Sequence, residues 1–321
     1  MSALALPRKV AAVVCVVGKL LTNLFKVSLG VSKELYGMCD PFQYKDVWFS
    51  SMIHSRDRTV ASESYDNFRP DDVVIATYPK TGTLLVHDII ESIYKEKGML
   101  PRNATFIDYT TLLEVNQSFF MTKSSDVEEG ELVGVEGADS PRIIITHLPW
   151  TLLPPNVREG RVKTINCLRN PKDVLCSMYP FYKKLGYILP TTEWQEFIEW
   201  FIQGNVIYGS YFRYVKEWWY YRSNQNLLNL QFETMQKDLK GNIKKVAKFL
   251  GLELSEWQLM AIVEANTFEN RKNAEGLLHP MHRRGQSGAW KTELTVQQND
   301  VIDDWIYQEM KDLKGLKLQF G

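Results

Sequence analysis

From about residue 70 the chain alternates short apolar runs with amphipathic stretches. Val73-Val-Ile-Ala-Thr-Tyr78, Arg142-Ile-Ile-Ile-Thr146, Val162-Lys-Thr-Ile-Asn-Cys-Leu168 and Leu227 to Phe232 read as buried strands. Thr83 to Tyr94 carries helical spacing. Asn170-Pro171-Lys172-Asp173 opens a second helix, with Asn170 as N-cap, Pro171 at the first position and Asp173 in the first turn. Glu193 to Tyr221 reads as one or two long helices, with Trp194, Phe197, Phe201, Tyr208 and Phe212 turned largely inward. Ile243, Val246, Ala247 and Leu250 share a helix face closed by Gly251, and Ser255 with Gln258 forms a capping box. Strands alternating with helices predict an α/β fold in which one domain holds a central, mostly parallel sheet flanked by helices on both faces. No internal repeat and no linker rich in Pro, Gly or Ser divides it.

Residues 1–36 stand apart as an N-terminal extension to a domain spanning 37–321. Arg8 and Lys9 precede the apolar run Val10 to Val17, which Lys19 interrupts before Leu20, Leu21, Leu24 and Phe25. The run is too short to span a bilayer, which takes about 20 apolar residues, and no small-residue cleavage site follows it. Two readings stay open. The segment is an extra helix or tail on the domain, or residues 8–29 lie on a membrane surface with Lys19 and Lys26 snorkelling.

The 38 basic residues balance the 38 acidic ones, so overall charge makes no case for a nucleic-acid partner, and any anion site must be a local cluster of cations. Cys15, Cys39, Cys167 and Cys176 show neither a CxxC pair nor a Cys/His metal spacing, and no metal is expected. Cys167 and Cys176 read as core thiols of a reducing compartment, so the expected location is cytoplasmic, with membrane association through the N-terminus as the alternative. The sequons at Asn103 and Asn116 read as chance matches.

In an open parallel sheet the ligand crevice lies beyond the carboxyl ends of the strands. Tyr78-Pro-Lys80-Thr81-Gly82-Thr83 follows the first strand, Thr146-His147-Leu-Pro149 the second and Arg169-Asn-Pro171 the third. The first segment has the logic of a phosphate loop. Gly82 lets the backbone approach an anion, the following helix offers free N–H groups, and Lys80, Thr81 and Thr83 add charge and hydroxyls. It is not a Walker A loop, because GxxxxGK[ST] is absent, and this argues against a phosphate-loop kinase. His147 alone is a weak signal, strengthened by its company at the same edge. His54, His87, His279 and His282 carry no such context. His282-Arg283-Arg284-Gly285 with Gly288 reads either as a solvated charge pair or as a clamp on a second phosphate.

Together these motifs resemble the cytosolic sulfotransferase family, from about Gly37 to the C-terminus. Tyr78–Thr83 is similar to the family's YPKSGT loop, Ser140–Pro149 to its PRxxKTHLP segment, Arg169–Ser177 to RNxKDxxxS, and Arg283–Lys291 to RKGxxGDWK. The resemblance implies a phosphate-loop-like sulfotransferase fold, with 3′-phosphoadenosine-5′-phosphosulfate (PAPS) as donor and 3′-phosphoadenosine-5′-phosphate (PAP) as product. It implies that Lys80, Thr81, Gly82 and Thr83 hold the 5′-phosphosulfate, and that Leu84 and Leu85 follow at the nucleotide, Leu85 at the adenine-stacking position. Phe232, Thr267 and Phe268 would border the adenine, and Arg169, Ser177, Arg283, Arg284 and Gly285 would grip the 3′-phosphate. His147 and Lys80 would be catalytic, acting on a small-molecule hydroxyl acceptor such as a phenol, alcohol or sterol. Lys291, Thr295, Val296 and Asp300 resemble the KxxxTVxxxE dimer motif, which implies a homodimer through 291–300. Phe119, Phe120, Tyr179 and Phe181 are candidates for the acceptor pocket.

The chain also departs from the pattern. Leu85 stands for a Trp that stacks on adenine, Leu84 for a Thr, Phe232 for a Tyr and Ala289 for an Asp. Ile145 stands where many members carry a Lys two residues before the histidine. Loss of one preorganised donor costs roughly 10²–10³ in rate. The alternative to an active enzyme is therefore a catalytically impaired protein of the same fold that binds PAP or PAPS. A Golgi-type anchored enzyme fits the interrupted N-terminal run less well.

Overall fold

The computed structural model describes residues 34–35, 38–104, 106–116, 132–273 and 287–320. The N-terminal extension, with its candidate membrane segment 8–29, lies outside the described residues apart from Glu34 and Leu35. Among the described residues no helix is long and apolar enough to cross a membrane.

Two small antiparallel hairpins come first: β1 (Glu34–Leu35) with β2 (Met38–Cys39), and β3 (Pro41–Tyr44) with β4 (Val47–Ser50). The helix α1 (Arg56–Glu63) follows. Its Ser55 hydroxyl caps the helix by accepting the Arg58 main-chain N–H. The central sheet is built from β5 (Val73–Ala76), β6 (Thr110–Leu112), β7 (Ile143–Thr146), β8 (Lys163–Leu168) and β9 (Leu227–Gln231), in the order β6-β7-β5-β8-β9. Every pairing in it is parallel. Four of these strands are the four apolar runs. The fifth, β6, is a three-residue edge strand that the apolar pattern does not announce.

Parallel neighbours need crossovers, and helices supply them on both faces. The helix α2 (Thr83–Glu96) leads from β5 toward β6. Between β8 and β9 run α3 (Pro171–Leu185), α4 (Trp194–Gln203) and α5 (Tyr211–Tyr220). After β9 come α6 (Leu239–Leu250), α7 (Glu256–Ala265) and α8 (Val296–Met310). Side chains alternate along β5. Val74 and Ala76 enter one core with α3, α4, α5 and α8, while Val73 and Ile75 enter a second with α2, α6 and α7. Because β5 and β7 are buried on both faces, they read as unbroken apolar runs. Each fully buried Val or Ile contributes roughly 1.5–3 kcal/mol.

The predicted punctuation is present. Asn170 Oδ1 accepts the main-chain N–H of Lys172 at 2.8 Å and of Asp173 at 3.3 Å, capping α3. Ser255 and Gln258 close the capping box of α7, and Gly251 ends α6. The stretch Glu193–Tyr221 is two helices. Gly204 turns the chain at φ +77°, and a Cβ there would meet the Ser210 Cβ at 2.9 Å, so only glycine permits this tight passage from α4 to α5. Phe197, Phe201, Tyr208 and Phe212 are buried as expected, and Trp194 is half-buried.

Candidate active site

The sheet register sets the site. Ala76 lies beside Thr146, and Ile75 lies beside both Ile145 and Ile165, so β5 and β7 end level and β8 runs two residues further in the same direction. The segments that follow, carrying Lys80, His147 and Arg169, therefore leave the same edge.

After β5 the chain does not run straight into α2. Tyr78 is buried, and its hydroxyl donates to the Gly209 carbonyl at 2.7 Å. The Thr81 hydroxyl donates back to the Tyr78 carbonyl at 2.7 Å, and the Thr81 carbonyl accepts from the Cys167 thiol at 3.1 Å. Thr77 and Thr83 share a hydroxyl contact of 2.7 Å across the mouth of the loop. Lys80 is held at φ +69°, a conformation that costs a non-glycine residue about 1–2 kcal/mol. Gly82 sits at φ +122°, and a Cβ on it would meet Phe232 Cδ2 at 2.9 Å and the Cys167 sulfur at 3.2 Å. No side chain caps the start of α2. Its first-turn N–H groups are thus offered to a ligand anion, and the helix dipole favours negative charge there.

Thr77 also meets the end of β7. The His147 Nδ1 lies 2.7 Å from the Thr77 carbonyl oxygen. A carbonyl only accepts, so Nδ1 carries the hydrogen and Nε2 keeps the lone pair. Burial pushes the His147 pKa below its ordinary 6.5; the Glu114 charge and the Thr77 carbonyl oppose that shift, and Lys80 adds to it. The ring is therefore neutral near pH 7.

Arg169 leaves the end of β8 and reaches back under the loop. One of its terminal nitrogens donates to the Lys80 carbonyl at 3.0 Å, and its guanidinium lies 4.3 Å from the Phe232 ring centroid. Two acids stand near it. Glu233 accepts the Asn170 main-chain N–H at 2.9 Å, and Asp173 accepts the Gly288 N–H at 2.8 Å and the Trp290 N–H at 3.2 Å. Asp173 thereby fixes the end of the C-terminal loop against α3. Lys172 strengthens the same junction, with its amine 2.7 Å from Asn299 Oδ1 and 4.1 Å from the Trp290 ring centroid.

The other expected site residues fall into four groups. Thr81, Thr83, Leu84, Leu85 and Phe232 surround the loop and the first turns of α2, with Leu85 and Phe232 in one apolar cluster. Ser177 is half-buried, about two turns into α3. Thr267 and Phe268 follow α7 and lie beside the middle of α2, where Asn266 Nδ2 donates to Ser92 at 2.9 Å and Arg271 pairs with Asp88 at 2.7 Å. Arg283, Arg284, Gly285, Phe119 and Phe120 lie outside the described residues. The Lys80 amine sits 4.2 Å from the centroid of Phe181, and Tyr179 is tied to the Thr192 carbonyl at 2.8 Å. Ile145 is 2% exposed in the apolar layer beneath α2, so no cation stands at that position of β7.

Three residues escaped the sequence reading. Glu114 is buried just beyond β6; it accepts the His147 main-chain N–H at 2.8 Å and the Tyr208 hydroxyl at 3.0 Å. His54 Nε2 lies 2.8 Å from the same hydroxyl. The available signal was an acid inside the apolar run Leu112-Leu-Glu114-Val115. A group on α2 of one histidine and two acids, His87, Asp88 and Glu91, has the spacing of metal ligands. However, Arg271 pairs with Asp88 and Lys95 with Glu91, each at 2.7 Å, which removes the net charge a cation would need.

Comparison with known proteins agrees with this geometry. Residues 70–314 match the sulfotransferase domain family. Sulfotransferase 1A1 of Rattus norvegicus is 35% identical over 256 residues, covering 76% of this chain and 86% of its own. Sulfotransferase 1C2 of Oryctolagus cuniculus is 32% identical over 273 residues, covering 78% of this chain and 86% of its own. Among solved structures, a mouse sulfotransferase complexed with PAP matches with a TM-score of 0.68 and 27% identity over 85% of this chain and 95% of that one. Retinol dehydratase in complex with retinol and PAP matches with a TM-score of 0.66 and 26% identity, over 78% of this chain and 84% of that one. The phosphate loop, the parallel sheet that presents it and these relatives agree that the chain belongs to the cytosolic sulfotransferases, the PAPS-dependent enzymes of sulfuryl transfer.

Proposed function

We propose that this enzyme moves a sulfuryl group from PAPS to the hydroxyl of a small, largely apolar acceptor, with His147 as general base. The contact of His147 Nδ1 with the Thr77 carbonyl at 2.7 Å carries the reading, because it leaves Nε2 as the basic atom of a neutral ring. PAPS supplies a sulfuryl group already activated by its phosphate leaving group. Nε2 accepts the acceptor's proton as the new oxygen–sulfur bond forms and the bond to the phosphate oxygen breaks. Lys80 stabilises the charge left on the departing phosphate, and Thr81, Gly82 and Thr83 hold that end. Arg169 and Ser177, with Arg283, Arg284 and Gly285, hold the 3′-phosphate. Leu84, Leu85, Phe232, Thr267 and Phe268 border the adenine.

The uncapped start of α2 and the buried guanidinium of Arg169 suit a doubly phosphorylated nucleotide. Solved complexes of retinol dehydratase hold retinol and androsterone, both apolar molecules with a hydroxyl. Phe181 beside Lys80 and Tyr208 beside His147 suit an acceptor of that kind, whether phenol, alcohol or sterol. The same reading takes 37–321 as the catalytic domain, the cytoplasm as its location and 291–300 as a homodimer contact.

His147→Ala tests the assignment. Transfer should fall by a factor of roughly 10²–10⁴, while PAP binding measured by calorimetry stays within a few-fold. Equal loss of both would sink the general-base role. Ile145 favours one rival, an impaired nucleotide-binding protein. PAP binding without turnover over a panel of phenols and sterols would favour that rival.

A further inference from the structure

His147 stands on a buried carboxylate that makes no direct contact in the proposed transfer step. Glu114 is 1% exposed. Its Oε1 accepts the His147 main-chain N–H at 2.8 Å and the Tyr208 hydroxyl at 3.0 Å, and its Oε2 accepts the Thr146 hydroxyl at 2.8 Å. Arg58 of α1 is buried nearby; its Nε donates to the Leu113 carbonyl at 3.1 Å, and it feels the Glu114 charge.

The direction of each proton follows from these contacts. Tyr208 has one hydroxyl hydrogen, and an ionised carboxylate can only accept it. His54 Nε2, at 2.8 Å from the same oxygen, must then be a donor. The other ring nitrogen of His54 faces both main-chain groups of Ser50, the N–H at 3.3 Å and the carbonyl at 3.1 Å, so Ser50 does not choose the tautomer. Tyr208 chooses it, and Nδ1 is the acceptor of the Ser50 N–H. The order is His54 to Tyr208 to Glu114, with every donor aimed toward the carboxylate.

A second observation points the same way. Tyr208 holds φ at +70°, a conformation bulky side chains rarely adopt. Its N–H donates to the Trp48 carbonyl at 2.8 Å, and its ring stands edge-on to His147 at 5.2 Å. Strain of this kind persists only where the surroundings impose it, and it gathers at working sites.

We propose that Glu114 is a positioning residue of the transfer reaction, which fixes the main chain of His147 and places a buried negative charge where the imidazolium forms, with Tyr208 and His54 aligning that carboxylate. The proposal rests on the general-base reading of His147. The titratable groups around His147 are Glu114 beyond β6, Lys80 in the loop after β5, Tyr208 between α4 and α5, and His54 behind Tyr208; Arg58 faces Glu114 from α1. Of these, Glu114 is the group whose charge favours the protonated ring.

The test is an NMR titration of the His147 ring in the full-length protein, with His147→Ala used to assign the signal and PAP calorimetry to confirm a native site. In Glu114→Gln the midpoint should drop by about one pH unit, a tenfold loss of proton affinity, with PAP affinity within a few-fold of wild type. Glu114→Asp retains the charge and should return the midpoint most of the way. Turnover of 4-nitrophenol, the probe acceptor, should fall at least tenfold in Glu114→Gln through kcat rather than KM. Should Glu114→Gln not fold, Tyr208→Phe carries the test. It removes a donor but not the charge, leaves the carboxylate less shielded and should raise the midpoint. An unmoved midpoint in the folded variant overturns the proposal. Retained transfer in His147→Ala overturns the general-base reading instead, so the two failures are separable.

Discussion

The guanidinium of Arg169 donates to the main-chain oxygen of Lys80 at 3.0 Å, across 89 positions of sequence. This bond ties the end of β8 to the loop after β5 and braces Lys80 in its positive-φ conformation. The Phe232 ring lies on the same guanidinium at 4.3 Å, so the fork is oriented from two sides before any nucleotide arrives.

Arg169→Lys keeps the charge and loses both the fork and the flat face. A lysine amine is a point charge that cannot hold the Lys80 carbonyl, stack on Phe232 and meet a phosphate together. PAP affinity should drop by about 10–100-fold, equivalent to about 1.4–2.7 kcal/mol. Calorimetry would show this, and affinity within twofold of wild type would mean that the guanidinium geometry is irrelevant.

Asp173 should control the C-terminal loop from a distance. Both of its oxygens accept main-chain N–H groups of the loop, from Gly288 and Trp290. Asp173→Asn turns an NH₂ toward one of those donors and leaves it unmet, at a cost of about 1–3 kcal/mol. Amide hydrogen exchange over 287–292 should quicken at least tenfold, with exchange in β5 and β7 unchanged. Equal rates in mutant and wild type would contradict the loop-holding role.

His54 should make the protein acid-sensitive. Burial without a counter-charge lowers its pKa from the ordinary 6.5 to about 3. The native state thus keeps it neutral while the unfolded chain takes up a proton below 6.5. Stability from this residue is complete above pH 6.5 and is lost as pH falls toward 3. At pH 4.5 the loss is about 2.7 kcal/mol. His54→Gln keeps an N–H for Tyr208 and does not titrate. Urea melts at pH 7 and pH 4.5 should therefore differ by about 2–3 kcal/mol less in the variant, and an identical difference would refute the assignment.

Much of this could be read from the chain before any coordinates. Val73–Ala76 and Ile143–Thr146 are apolar throughout because both of their faces are covered, and that pattern has few other meanings. Asn170 and Pro171 announce a helix start through purely local bonding. Lys80, Thr81 and Gly82 carry a loop logic that depends on neighbours only. The strand β6 was silent, since three residues at a sheet edge leave no periodicity. The Glu114–Tyr208–His54 chain was silent for a different reason. Tyr208 lies 94 positions from Glu114 and 154 from His54, and only the folded core brings them into contact. The break between α4 and α5 needed the close passage of Gly204 by Ser210, which a helical repeat cannot foretell.

The turn at Tyr208 and Gly209 serves both halves of the chemistry at once. The Gly209 carbonyl takes the Tyr78 hydroxyl from the loop after β5, and Tyr208 reaches the carboxylate beneath His147. An insertion or deletion between α4 and α5 would therefore misalign nucleotide and acceptor machinery in a single stroke. Over evolutionary time this connection should conserve its length while the acceptor-facing surface drifts. On the proposed reading, efforts to change the acceptor belong around Phe181, leaving the turn untouched.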